Sequence, residues 1–96
     1  MSDISTYIQI VSSVISAQGQ VMGPLAINEA RKVPGLVFSN SNFEHVTISG
    51  EPGVVITGLV RQYERVFGTA SIEVCKDAVK EIKPSVSPEF LPEILR

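Results

Sequence analysis

The chain has 96 residues, enough for one domain around one small core. With 44% hydrophobic and 19% charged residues it is too apolar for a disordered polar chain, and a net charge of −2 leaves no positive field to collect phosphates. One cysteine, Cys75, can neither close an internal disulfide nor fill a structural zinc site.

Met1-Ser2-Asp3 lacks the basic start of a signal peptide, so the chain is expected to begin at Met1 and to stay in the cytoplasm. No Asp, Glu, Lys or Arg occurs from Ile4 through Asn28, yet the interleaved Ser, Thr and Gln and the Gly23-Pro24 pair make this stretch too polar to span a bilayer. Within it Ile4, Tyr7, Ile8, Val11, Val14 and Ile15 recur at spacings of three and four, which predicts an amphipathic helix from about Asp3 to Ala17, capped by Ser2 or Asp3. The other face, Ser5, Thr6, Gln9, Ser12, Ser13 and Ser16, is uncharged and small, and lets another element approach closely. Gln18-Gly19-Gln20 reads as a break. Pro24 opens a second helix that Val33-Pro34-Gly35 ends.

Leu36-Val37-Phe38-Ser39 and His45-Val46-Thr47-Ile48-Ser49 are β-prone runs joined by a turn-rich stretch, a predicted hairpin with Val46 and Ile48 on its buried face. Pro52 begins a third helix that runs to Phe67 and stops at Gly68; Val55, Ile56, Leu59, Val60, Tyr63, Val66 and Phe67 line its apolar side. Thr69 is the expected cap of a fourth, with Ile72, Cys75, Ala78, Val79 and Ile82 facing inward and Glu73, Lys76, Asp77, Lys80 and Lys83 outward. Pro84, Pro88 and Pro92 forbid a long regular element at the end, but Phe90, Leu91, Ile94 and Leu95 are too apolar for a free tail and are expected to dock. The reading is an α+β fold in the order α-α-β-β-α-α, a hairpin covered by helices, divided into a domain of residues 1–83 and a tail of residues 84–96.

No nucleophile elbow, phosphate loop or dinucleotide fingerprint occurs. His45 has no nearby histidine or cysteine, so it reads as an ordinary strand residue, and Cys75 on an apolar helix face reads as a small hydrophobe. Glu44 with Glu51, or Glu73 with Asp77, form candidate acid–base pairs; the second reads better as the ion-pair lattice of a solvated helix, and Arg61 with Arg65 as part of a mixed-charge face. No catalytic, metal or cofactor residue is assigned.

From Gly19 onward the order glycines, helix, strand, strand, helix resembles the core of a KH RNA-binding module, and Val46-Thr47-Ile48-Ser49-Gly50-Glu51-Pro52 is similar to that family's strand-to-helix junction. The resemblance covers Gly19 to Phe67 and implies single-stranded nucleic-acid binding through Gly19, Gly23, Arg31 and Lys32. The family's Gly-X-X-Gly loop is basic, whereas Gly19-Gln20-Val21-Met22-Gly23 is one residue longer and uncharged.

The preferred expectation is a non-enzymatic protein-interaction module, a homodimer or a small subunit of a larger assembly, because the apolar residues outnumber what so small a fold hides easily. Ile8, Val11 and Ile15 with Phe90, Leu91 and Ile94 are the expected interface. Nucleic-acid binding is the first alternative, and a sensor holding an apolar ligand between the hairpin and its helices is the second.

Overall fold

The computed structural model describes residues 4–38 and 46–96. Its elements are α1 (Ile4–Met22), α2 (Leu25–Ala30), β1 (Leu36–Phe38), β2 (Val46–Ile48), α3 (Pro52–Phe67) and α4 (Ala70–Lys80), followed by 3₁₀ turns at Pro88–Phe90 and Glu93–Leu95. This is the expected α+β order, mostly helical with one small sheet. No helix among the described residues is long and apolar enough to cross a membrane.

The largest departure is in α1, which does not break at Gln18-Gly19-Gln20 but continues to Met22. A glycine inside a helix costs about 1 kcal/mol, and burial of the turn outweighs it. Gln18 lies on the same face as Val14 and Ile15 and is buried with them, and Met22 packs on the core one turn later. The stop comes at Gly23, whose φ of 64° is the left-handed conformation of a helix end and whose N–H donates to the Gly19 carbonyl at 2.8 Å. α2 ends at Ala30, earlier than Val33. The bonds from Lys32 N–H to the Glu29 carbonyl and from Val33 N–H to the Ala30 carbonyl carry the chain round to Gly35.

The hairpin forms as expected, with Leu36 opposite Ile48, Val37 opposite Thr47 and Phe38 opposite Val46. Leu36, Phe38, Val46 and Ile48 face the core while Val37 and Thr47 face out, the alternation that covers one side of a small sheet. Ser39 and His45 lie outside the described residues.

α3 runs from Pro52 to Phe67 as the sequence indicates, capped by the Glu51 carboxylate, which accepts from Val54 N–H at 3.2 Å. Its apolar stripe leaves the interior after Tyr63: Val66 and Phe67 are 45% and 36% exposed, because the last turn reaches past the packed layer. The expected cap at Thr69 is also corrected. Thr69 has helical backbone angles and its side chain makes no cap bond, so α4 starts instead through Ser71 N–H to the Gly68 carbonyl and Ile72 N–H to the Thr69 carbonyl.

α1 is the hub, packed by α2, α3, α4 and β2. Ile10, Val11, Val14 and Ile15 meet Ile56, Leu59, Val60 and Tyr63 of α3 and Cys75 and Val79 of α4 in one continuous core. The tail docks on it through buried Leu95 and through the Phe90 ring, which meets Tyr7 edge to face with centroids 5.4 Å apart.

Candidate functional site

Three of the six expected interface residues lie on α1, and the structure turns two of them inward. Val11 and Ile15 are wholly inside the core of their own chain, so they cannot serve as a surface for another, and Ile8 is half-buried against the same core. The other three, Phe90, Leu91 and Ile94, are half-buried on their own chain. A single copy therefore covers this apolar set with its own tail, because the prolines fold residues 84–96 back rather than away.

What α1 leaves outward is its opposite face. Gln9, Ser12, Ser13, Ser16, Ala17 and Gln20 line a hollow of about 470 Å³ whose far wall is Ala78 near the end of α4 and Glu81, Ile82 and Lys83 just after it. A second hollow of about 300 Å³ continues from it and shares Ser16 and Gln20; its other walls are Ile15, Gly19, Gly23, Ala26 and Ile27. Small side chains on α1 between two thicker neighbours make one furrow along the helix. Among the described residues no hairpin residue lines either hollow, so the expected ligand space between hairpin and helices is not where these two lie.

The α1 side of the first hollow repeats itself when the helix is reversed. Gln9 and Gln20, Ser12 and Ala17, and Ser13 and Ser16 are each equidistant from the midpoint between Val14 and Ile15. An antiparallel copy of the helix laid in the furrow would set amide against amide at both ends and small against small in the middle. That is the self-complementarity a two-fold contact requires.

The nucleic-acid set is brought together only in part. Gly19 and Gly23 are not a loop: Gly19 sits in the last turns of α1 and Gly23 is its stop. Arg31 lies with its guanidinium 5.2 Å from the centre of the Phe38 ring, and Lys32 Nζ is 3.2 Å from Glu29 Oε2.

Two polar groups that patterning did not single out tie the interior together. Gln18, 1% exposed, donates from Nε2 to the Ser71 carbonyl at 3.0 Å and to Cys75 Sγ at 3.3 Å, while its Oε1 has no partner among the described residues. Tyr63 donates from its hydroxyl to the Ala26 carbonyl at 2.7 Å, pinning α2 to α3. Burial raises the pKa of the Tyr63 phenol, and it raises that of the Cys75 thiol against the smaller pull of the Gln18 amide, so both stay protonated at neutral pH. Helical spacing alone places Gln18 inside, four residues after Val14, and is the signal that could have found it.

The nearly buried Glu29 carboxylate accepts from Gln62 Nε2 at 2.7 Å and from Lys32 Nζ at 3.2 Å. These two bonds, Gln62 first, hold its pKa below the ordinary carboxylate value. A depressed folded pKa contributes stability above the unfolded pKa and loses it as pH falls through the folded one. Glu29→Gln is therefore expected to flatten the acid limb of the stability curve below about pH 5 while leaving the bond to Gln62 available. Urea midpoints of both proteins between pH 3 and 7 check this, and parallel curves would contradict it.

Of the acid–base candidates, Glu51 is committed to the α3 cap and Glu73 lies 3.9 Å from Lys76 Nζ, one turn along α4. Arg61 pairs with Glu64 at 2.9 Å. Glu44 and His45 lie outside the described residues. Among the described residues no three His, Cys, Asp or Glu side chains gather as a metal site would need. Comparison with protein-family models, with curated proteins and with solved structures returns no match.

Proposed function

We propose that the chain is a non-enzymatic protein-interaction module that pairs with a second copy of itself through the α1 furrow. The observation that carries the reading is the reversible α1 side of the furrow: an uncharged strip with Gln9 and Gln20 at its ends and Ser13 and Ser16 about its centre, facing a wall that carries Glu81 and Lys83. The α1 strip is matched by another uncharged strip, because amide and hydroxyl groups meeting there leave no charge unpaired, while Glu81 and Lys83 on the far wall stay exposed to water. The small side chains also let two helices approach closely. A copy with a net charge of −2 repels its twin only weakly.

Support for a binding rather than a catalytic role comes from how the reactive groups are used. The Cys75 thiol and the Tyr63 phenol are buried and protonated, and the Glu29 carboxylate is held between Gln62 and Lys32. The reading places the module in the cytoplasm, where a reduced thiol is the ordinary state. A partner chain of a larger assembly presenting the same uncharged helical face would use the same seat.

Sedimentation of the full chain from 1 to 100 µM, values on the order of typical weak dimers, is the test. A concentration-dependent dimer is expected, weakened at least about tenfold by Ser13→Arg or Ser16→Arg, with the melting temperature unchanged at dilutions where the parent is monomeric. A monomer throughout that range, or a dimer indifferent to both substitutions, would refute the pairing. RNA affinity that falls steeply with salt would point instead to the nucleic-acid reading.

A further inference from the structure

The geometry points to a second binding device, on the other side of α1 from the furrow. We propose that residues 84–96 are a releasable strap seated on an apolar trough formed by α1 and α4. In the strap's place the trough accepts a short segment carrying an aromatic group followed by aliphatic groups at the strap's own spacing.

The strap satisfies its own backbone. Phe90 N–H donates to the Ser87 carbonyl, Leu91 N–H to Pro88, Leu95 N–H to Pro92 and Arg96 N–H to Glu93, at 2.9 to 3.1 Å, and Arg96 Nε donates to the Leu91 carbonyl at 2.9 Å. Among the described residues no hydrogen bond or ion pair joins residues 84–96 to the rest of the chain. Among the described residues apolar contact alone holds it: Phe90 against Tyr7, Leu91 and Ile94 half-buried, and Leu95 at 4% exposure. A helix or strand of the body can leave only by breaking a ladder. The strap leaves by uncovering side chains, so its opening belongs to the low end of the molecule's local stabilities.

The strap itself specifies the occupant. An aromatic group followed by aliphatic groups one, four and five positions later, as in Phe90, Leu91, Ile94 and Leu95, fits the seat. Pro84, Pro88 and Pro92 restrict the free segment to few conformations, which keeps the entropy cost of seating small for the strap and for a similar incoming segment. Tethering gives the strap an effective concentration in the millimolar range, so a free segment competes poorly until the strap is weakened.

The probe is a fluorescently labelled peptide of residues 84–96 added to the full chain. Phe90→Ser combined with Ile94→Ser in the chain is expected to tighten peptide binding at least about tenfold by removing the competitor, while Tyr7→Ser weakens binding to either protein. Equal affinity for the two chains, or no binding to the double variant, overturns the proposal. Where the double variant loses its fold, native-state hydrogen exchange on the unmodified chain decides. Leu91, Leu95 and Arg96 are expected to exchange through an opening that leaves α3 protected, and exchange of both sets through one common global opening overturns the proposal. Ser13→Arg in the furrow should change neither readout, so failure here and failure of self-pairing are separately visible.

Discussion

Gln18→Glu is expected to cost about 3–5 kcal/mol at neutral pH and to recover much of the loss on acidification. Gln18 is sealed within the core, and Nε2 spans to the Ser71 carbonyl and to Cys75 Sγ. Glutamate replaces both donors by an acceptor, so oxygen faces carbonyl oxygen and a charge is stranded without a partner. The folded state would then raise the carboxyl pKa. The penalty stands above that raised value and fades as pH falls through it, opposite in sign to the Glu29 contribution. Gln18→Leu keeps the volume and removes the orphan Oε1 along with the two bonds, so its cost should stay below about 1.5 kcal/mol. Urea unfolding of both variants at pH 7 and pH 5 is the measurement. A Gln18→Glu protein as stable as the parent at pH 7 would mean that the amide is solvated and the core open at that point.

Gly35→Ala is the second large effect, about 2–4 kcal/mol. Gly35 has φ of 94°, and a Cβ there would lie 2.5 Å from Val55 Cγ2 and 2.9 Å from the Ser49 carbonyl oxygen. Neither neighbour yields cheaply: Val55 is packed in α3, and the Ser49 oxygen is backbone in the segment whose N–H bonds the Gly35 carbonyl at 2.7 Å. Gly50→Ala is the control, since Gly50 has φ of 101° but a Cβ added there would meet nothing within 4 Å. Its cost should be conformational strain alone, about 1–2 kcal/mol. Thermal and urea unfolding of the pair separate strain from close approach, and equal costs would remove the steric part of the argument.

Local signals determined much of this fold. Glu51-Pro52 and Gly68 bound α3 because a cap, a proline at the helix start and a glycine after its end act within a few residues, and the hairpin follows from two short β-prone runs with a single apolar face. The docked tail is also legible, since Phe90, Leu91, Ile94 and Leu95 have no other reason to sit among prolines.

Tertiary structure decided what competes over longer distances. Gly19 reads locally as a helix end, but the turn carrying Gln18 and Met22 finds partners on α4 and in the core, and packing overrides propensity. Val11 and Ile15 read as spare apolar surface because periodicity shows which side of a helix is apolar but not which element covers it. The same is true of the furrow. Its small residues are visible in the order Gln9, Ser12, Ser13, Ser16, Ala17, Gln20, but a furrow exists only because α2 and the end of α4 stand on either side of it. Caps, turns and faces are set by neighbours in the chain; cover and concavity are set by neighbours in space.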